Sequence, residues 1–312
     1  MRAFVWHISL FIALQAALLL VQLPHCQLDP NAFLRAITAK MNRVEQFAPP
    51  RLMLHGGSSV AFGTVSPEFQ RMVGLPTINL GTTRGEGLEL WLNELRSLVQ
   101  KGDVVVISPE YHLLAAGGAP TGMTVAFAVE ANPRLLRLIT PHQVGQMMDD
   151  SVGIVHSLVM RQLQTLGLSR AWVAPPYTLD SFNEYGDVVA HYTMKRKAFP
   201  PQHLLAPPPW RLASAVKALN SFADDCRRRG ARVFLAYPAV PASLYPPDRE
   251  RLEFLHRQVM TTLRIPLLNT PAEAVHPDTD FFDTAYHLTR EGALRRSRLL
   301  AERLKAALHT PD

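Results

Sequence analysis

Short runs of apolar, often β-branched residues recur along this 312-residue chain, and helical stretches separate them. The runs cover residues 51–55, 76–80, 103–108, 232–237 and 265–268. The first run stops at Gly56-Gly57 and the second at Gly81, and short buried runs that stop at glycine are typical of parallel strands. Between runs, 66–68 reads Ser-Pro-Glu, a helix start, and 88–99 has apolar residues at helical spacing. The alternation therefore predicts a parallel sheet with helical connections.

The fold expected from this pattern is α/β, a flavodoxin-like three-layer α/β/α sandwich with about five parallel strands. Further helices are expected near residues 30–47, 210–229, 249–263 and 290–308. Residues 113–209 are rich in Met, Gly and Pro and fit the alternation poorly. We expect them to form a largely helical insertion over one end of the sheet. One domain, residues 29–312, accounts for the chain that follows the N-terminal segment.

The N-terminal segment is strongly apolar. Residues 3–23 contain no Asp, Glu, Lys or Arg, and a helix of this length is about what is needed to cross ~30 Å of hydrocarbon. A cleaved signal peptide normally has a shorter apolar region and an Ala-x-Ala-like cleavage site, neither of which is clear here. We therefore expect residues 1–28 to be an uncleaved membrane anchor, with a signal peptide as the alternative. The folded domain is expected outside the cytoplasm.

Composition narrows the range of partners. Hydrophobic residues make up 47% of the chain and charged residues 19%, as in ordinary globular proteins. The net charge of +6 is spread over helices in which Arg and Lys alternate with Asp and Glu, so we expect no nucleic acid partner. Cys26 and Cys226 are too few for a disulfide framework or a metal cluster. The chain also has no His-x-x-x-His pair and no Gly-Lys-Ser/Thr loop, and we expect no metal, nucleotide or other cofactor.

Two polar stretches occur where an open parallel sheet places its ligand site. Residues 55–59 read His-Gly-Gly-Ser-Ser and follow the first strand. Paired glycines allow a tight turn, and a serine at its exit would lie beside backbone N–H groups able to hold an oxyanion. Asp283 and His287 stand directly before the last helix. A carboxylate four residues before a histidine can accept one imidazole N–H and leave the other nitrogen to take a serine proton.

Together these stretches resemble the SGNH (GDSL-like) hydrolase family, whose members place a serine after the first strand and an Asp-x-x-His element before the last helix. Residues 57–63, Gly-Ser-Ser-Val-Ala-Phe-Gly, are similar to the Gly-Asp-Ser block of the family. The family's glycine four residues after the nucleophile corresponds to Gly63, which selects Ser59 over Ser58. Residues 283–292 are similar to the last block of membrane-anchored envelope members that act with polysaccharide O-acetylation and teichoic acid D-alanylation systems.

The resemblance implies that Ser59 is the nucleophile, His287 the base and Asp283 the residue that orients the base. Asp283 precedes His287 by four positions where the family has three, so Asp280 is the alternative. For the oxyanion hole the resemblance implies the N–H groups of Ser59 and Gly85, with Gly81 as the alternative to Gly85.

The third block of the family supplies an asparagine, and this chain departs from that pattern. Residues 108–112 read Ser-Pro-Glu-Tyr-His. Glu110 puts an acceptor where a donor is needed, so Tyr111, His112 or a residue of the insertion would have to substitute. Within the insertion, the run around Asn183 has polar groups suited to a substrate wall. The expected substrate-binding residues are therefore Tyr111, His112 and Asn183.

The function implied is that of an extracytoplasmic serine esterase or O-acyltransferase acting on acyl groups of a cell-envelope polysaccharide or acylated carrier. A multi-span membrane acyltransferase is a further expected partner. The missing asparagine favours a second hypothesis, a non-catalytic assembly partner of the same fold in an envelope polysaccharide modification system. A third is a secreted lipase-like enzyme for small esters, which requires cleavage before residue 30.

Overall fold

The computed structural model describes residues 28–169 and 175–309, together with Trp6, His7 and Leu10. Its helices are α1 (Ala36–Glu45), α2 (Ser58–Ala61), α3 (Ser66–Val73), α4 (Leu88–Leu98), α5 (Tyr111–Ala115), α6 (Gly122–Ala131), α7 (Pro141–Asp149), α8 (Ser151–Thr165), α9 (Leu212–Arg228), α10 (Tyr245–Thr262) and α11 (Arg290–His309). Its strands are β1 (Leu52–Gly56), β2 (Thr77–Asn79), β3 (Val104–Ser108), β4 (Arg232–Leu235), β5 (Val240–Pro241) and β6 (Val275–His276).

Four of the strands form one parallel sheet in the order β2-β1-β3-β4. Leu52 of β1 pairs with Thr77 of β2 and with Val104 of β3, and Val104 pairs with Arg232 of β4. Helices connect the strands and lie on both faces. This is the strand order of a flavodoxin-like doubly wound sheet, and it confirms the predicted α/β class.

The fifth predicted strand, 265–268, is reduced to one parallel bridge between Leu235 and Leu267 at the edge of β4. Leu235 donates its N–H to the carbonyl of Pro266 (2.9 Å), and Leu268 donates to the carbonyl of Leu235 (2.8 Å). Pro266 has no N–H of its own to donate, which confines proline to sheet edges. The sheet therefore has four strands. A separate parallel pair of β5 and β6, which the sequence pattern did not indicate, follows it.

Alternate residues of each strand face opposite helical layers, as a period of two requires. Val105 packs in one buried cluster with Trp91 of α4 and with residues of α1, α9 and α10. Val104 packs in another with Phe69 of α3 and Leu300 of α11. The result is a three-layer sandwich in which the ends of β1 and β3 open at the edge where α2 begins.

Residues 113–209 include α6, α7 and α8, as a helical insertion would. From residue 175 to 209 the chain instead forms turns, isolated bridges and two short 3-10 helices, Leu179–Ser181 and Ala190–Thr193. This part returns to the sheet, where Asn79 donates its N–H to Tyr185 O (2.9 Å) and Val188 donates to Ala61 O (2.8 Å). The insertion thus contributes loops beside the turn after β1.

The expected anchor at residues 1–28 falls outside the described residues, apart from Trp6, His7, Leu10 and Leu28. Among the helices that the structure describes, none is both long enough and apolar enough to cross a membrane. Cys26 also lies outside the described residues, and Cys226 is a buried free thiol in the core.

Candidate active site

The turn between β1 and α2 presents the two serines. Gly56 closes β1, and a methyl group there would lie 2.5 Å from the carbonyl oxygen of Ser108, so only glycine lets the two backbones approach this closely. Gly57 is the N-cap of α2, which begins at Ser58. Ser58 is partly exposed. Ser59 is 3% exposed, and its Oγ has no hydrogen-bond partner among the described residues.

Gly63 has a structural reason to follow Ser59 by four residues. A side chain at Gly63 would collide with the backbone carbonyl oxygen of Ser59. The glycine therefore allows the chain leaving α2 to pass directly under the serine turn, whichever serine acts.

Glu110, two residues after β3, reaches across to this turn. Its Oε1 accepts the backbone N–H of Ser59 at 3.2 Å, and a methyl group at Gly57 would collide with the carboxylate. The side chain is buried, and Oε2 has no partner among the described residues. Burial raises the pKa of Glu110, while the N–H of Ser59 acts in the opposite direction. The residue thus occupies the N–H that an oxyanion at Ser59 would need.

Asp283 and His287 are brought together by a closed loop before α11. Phe281 and Leu288 form an antiparallel bridge, and Phe282 donates its N–H to the carbonyl of His287 at 2.7 Å. Within this loop His287 Nδ1 lies 2.8 Å from Asp283 Oδ1. When Asp283 is ionised, His287 Nδ1–H donates a hydrogen bond to its carboxylate, and His287 Nε2 is left as the nitrogen that can accept a proton.

Tyr177 fixes the far side of the carboxylate. Its hydroxyl donates to Asp283 Oδ2 at 2.5 Å and lies 3.3 Å from His287 Nδ1. Burial acts to raise the pKa of Asp283, but the hydrogen bonds from His287 and Tyr177 outweigh it and hold that pKa below its usual value. Asp283 therefore stays ionised beside the imidazole.

Asp280, the alternative partner of His287, is engaged elsewhere. Its Oδ2 lies 3.1 Å from His276 Nδ1 and accepts from Arg295 Nε at 2.9 Å. The geometry favours Asp283 over Asp280 as the residue that orients His287.

Phe62 connects the histidine loop to the serine turn. It follows α2 directly, and its ring stacks on His287 with centroids 4.0 Å apart and planes 12° apart. Ser58 and His287 also line one cavity of about 640 Å³. The rest of its wall is largely polar and comes from the ends of β1 and β3, the 84–86 turn and the loops 202–207 and 284–286: Arg84, Glu110, His112, Gln202, His203, Leu204, Ala206, Pro207, Thr284, Ala285 and Tyr286.

The cavity wall contains the guanidinium group of Arg84 and the imidazole of His112, whose pKa is lowered. Burial, with a smaller contribution from Arg84, lowers the pKa of His112 to about 4, so that this side chain is neutral near pH 7. Its Nε2 and the hydroxyl of Tyr286 have no hydrogen-bond partner among the described residues. Unpaired buried polar atoms in a cavity are suited to a ligand that supplies the missing hydrogen bonds.

The remaining predicted residues lie in different places. Gly85 was expected to supply an oxyanion N–H, but it donates that N–H to Thr83 Oγ1 (3.4 Å), within its own turn. The backbone nitrogen that lies beside Gly57 belongs to Arg84. Tyr111 is fully buried and stacks on Tyr237 at 5.2 Å, so its ring belongs to the core, whereas His112 reaches the cavity.

Asn183 organises its own loop. Its Oδ1 accepts the N–H groups of Tyr185 (3.0 Å) and Asp187 (2.9 Å). It lines a separate cavity of about 180 Å³ beside Lys40. Asn183 is thus placed away from His287.

No group of three or more His, Cys, Asp or Glu side chains in the described part of the chain is arranged to hold a metal ion. Comparison of the chain with protein families, with curated proteins and with solved structures found no match. The chemistry of the site has to be argued from its own geometry.

Proposed function

We propose that this protein is a serine acyl hydrolase or O-acyltransferase, with Ser59 as nucleophile, His287 as base and Asp283 as the carboxylate that holds the base. The observation that carries the proposal is the Asp283–His287 pair, stacked through Phe62 against the helix that begins at the two serines. A hydroxyl, an imidazole in one tautomer and an orienting carboxylate are the parts that this chemistry requires.

Ser59 is preferred over Ser58 for two reasons. Its buried Oγ is without a partner among the described residues, and such a hydroxyl needs an explanation. Its N–H also points to the carboxyl group of Glu110, where a developing oxyanion would be held if that carboxyl group were neutral or displaced. Ser58, the preceding residue, lines the cavity where Ser59 does not, and it is the matched control position.

The reaction would proceed through an acyl-enzyme. Ser59 Oγ attacks the ester carbonyl while its proton passes to His287 Nε2, and the imidazolium is stabilised by Asp283. The same proton then passes to the leaving alcohol as the ester C–O bond breaks. Water or a sugar hydroxyl, deprotonated by His287, attacks the acyl-enzyme and releases Ser59. Hydrolysis and transfer differ only in which of these two nucleophiles enters.

Glu110 replaces the asparagine donor that the SGNH resemblance implies. We assign it the role of a neutral carboxylic acid that donates a hydrogen bond to the oxyanion. Its burial, the unpaired Oε2 and its raised pKa all support this role. A carboxylic acid kept neutral by an apolar site is an established way to build such a donor. When ionised, Glu110 would instead hold the N–H of Ser59 and repel the oxyanion.

The substrate proposed is an acyl ester of a sugar or of a comparable polar carrier. A cavity of about 640 Å³ is of the size that binds small ligands, and polar side chains in its wall, such as Arg84, His112 and Gln202, can bind the hydroxyl groups of a sugar ester. The apolar segment 3–23 supports a location at the outer face of a membrane, on acyl groups of an envelope polysaccharide or carrier.

The proposal is tested by ester hydrolysis with the purified full-length protein. Hydrolysis of p-nitrophenyl acetate is expected for the natural chain, to persist in Ser58→Ala and to fall to background in Ser59→Ala. Equal hydrolysis in Ser59→Ala and the natural chain would refute the assignment of the nucleophile. Loss in Ser58→Ala alone would move the nucleophile by one residue.

One observation favours a second function. Glu110 occupies the N–H of Ser59, as expected if the fold were kept without catalysis in an assembly partner that binds an envelope glycan. In that case no ester would be turned over at any pH, and an acetylated glycan would still bind to Ser59→Ala with unchanged affinity.

A further inference from the structure

Helix α8 (Ser151–Thr165) differs from the other long helices of the fold. It carries no Asp, Glu, Lys or Arg from residue 151 to 160, and none of its side chains whose exposure is described is buried. Val152 is 82% exposed, Val155 42% and Val159 50%. An apolar stripe on a helix normally packs against the core of a protein or against a membrane. Here the apolar side chains face outward.

The exposed side chains form one continuous stripe. Within α8, Val155 follows Val152 by three residues and Val159 follows Val155 by four. These intervals place the side chains along one face of the helix. Exposed apolar stripes of this kind mark a site where a protein or a membrane docks.

The face of α8 adjoins the point where the N-terminal segment enters the fold. Leu28 donates its N–H to Glu130 Oε1 at 2.5 Å, and Arg161 of α8 bonds the other oxygen of the same carboxylate at 2.8 Å. Arg161 also lies over the ring of Phe127, 4.3 Å from its centroid. One carboxylate therefore ties both Leu28 and α8 to helix α6.

The length of chain between the apolar segment and Leu28 limits how far a bilayer can be. Four residues lie between positions 23 and 28, so the chain makes five residue-to-residue steps, and an extended chain covers at most about 3.6 Å per step, or roughly 18 Å in all. A membrane that receives residues 3–23 would therefore lie within about that distance of Glu130 and Arg161. The apolar stripe of α8 is on the element tied to this same point.

We propose that α8 is a second membrane contact, which lies along the bilayer surface with Val152, Val155 and Val159 in the interface between headgroups and acyl chains. A lipid surface accepts an apolar stripe without a matching shape. Since residues 151–160 carry no cation, the contact does not need anionic lipid. The proposal rests on insertion of residues 3–23 and is independent of the proposed catalysis.

Lipid contact is measured with an environment-sensitive fluorophore on the full-length protein in phosphatidylcholine vesicles. The label is placed at Val155→Cys in a Cys26→Ser, Cys226→Ala background, with Glu302→Cys on α11, an exposed position, as the matched control. A third sample carries the label on the natural Cys26 in Cys226→Ala. Nitroxide groups on the lipid acyl chains act as quenchers.

The expected result is a blue-shifted emission that lipid nitroxides quench at position 155 and at Cys26, and neither effect at position 302. A label at 155 that stays in water, as at 302, overturns the proposal. So does a label at 155 that is shielded but not quenched, because protein would then cover α8. An unquenched label at Cys26 removes the premise that residues 3–23 enter the bilayer. None of these fluorescence measurements depends on ester hydrolysis.

Discussion

Replacing Glu110 by glutamine is expected to raise ester hydrolysis at pH values above the pKa of Glu110. Glutamine keeps the size and the acceptor oxygen that meets the N–H of Ser59, supplies two N–H donors and cannot ionise. Burial raises the pKa of Glu110, so the natural side chain is a neutral donor at low pH and becomes an anion as pH rises through that value. If the protein is the proposed esterase, the natural chain should therefore lose activity on the alkaline side, and Glu110→Gln should not.

The size of the effect follows from what an ionised Glu110 would do to the oxyanion. Two like charges about 4 Å apart repel by about 4 kcal/mol at an effective dielectric constant near 20, which sets an upper limit of roughly a thousandfold in rate. Loss of one oxyanion donor alone costs about a hundredfold or more. At a pH above the pKa of Glu110, kcat/KM of Glu110→Gln is thus expected to exceed that of the natural enzyme by roughly a hundredfold to a thousandfold.

The assay is the pH profile of kcat/KM for p-nitrophenyl acetate. Glu86→Gln is the matched control, because Glu86 is also a buried carboxyl whose pKa burial raises, to about 8, but it bonds Thr82 and Trp91. The alkaline decline should persist in Glu86→Gln. Parallel profiles for the natural enzyme and Glu110→Gln, or lower activity of Glu110→Gln at every pH, would refute the reasoning.

Thermal unfolding gives a second reading of the same titration. A carboxyl group whose folded pKa is raised binds more protons in the folded than in the unfolded state, so its contribution to stability is lost as pH rises towards the folded pKa. The excess of the Tm of Glu110→Gln over that of the natural chain should therefore grow with pH in this window. A constant difference would contradict the assigned direction of the pKa shift.

Four further outcomes are expected. Asp283→Asn should lower kcat by about a thousandfold or more, because the imidazole loses its orienting charge; a loss under tenfold would contradict this role. Tyr177→Phe removes a hydrogen bond that lowers the pKa of Asp283, so the acid limb of the kcat profile should move to higher pH, and an unmoved limb would make Tyr177 merely structural. Gly63→Ala should lower stability by about 1–3 kcal/mol through its clash with Ser59, measured by denaturant unfolding. Gly145→Ala, in open helical space, should instead stabilise by about 0.4–1 kcal/mol.

The sheet could be predicted because its signals are local. β-branched runs such as 103–108 stop where a turn begins, and β3 indeed covers Val104–Ser108. The prediction of a full strand at 265–268 was wrong for an equally local reason. Pro266 lies at the sheet edge and has no N–H to donate, so only one bridge forms there. The pair of β5 and β6, two residues each, is too short to produce a pattern.

The residues of the candidate site also divide into those that the sequence predicted and those that it did not. The contact between Asp283 and His287 spans four residues, and the spacing together with the family resemblance predicted it, with Asp280 as the alternative. Tyr177 meets Asp283 across 106 positions from a stretch without periodicity, and no sequence signal pointed to it. Tyr111 was expected at the substrate, but an aromatic ring that can stack on Tyr237 gains more from burial in the core.

Glu110 stood out in the sequence as an acceptor in a donor's place. Its contact with the N–H of Ser59, 51 residues away, required the structure. If the proposed function is right, that contact makes Glu110 a titratable part of the oxyanion hole.

The most direct test of the account is covalent labelling of the nucleophile with a fluorophosphonate, followed by peptide mass spectrometry of the full-length protein. If Ser59 is the nucleophile, one adduct forms on Ser59; it also forms in Ser58→Ala, forms more slowly in Asp283→Asn and is absent in Ser59→Ala. No adduct on the natural chain, or an adduct that survives Ser59→Ala, would contradict it.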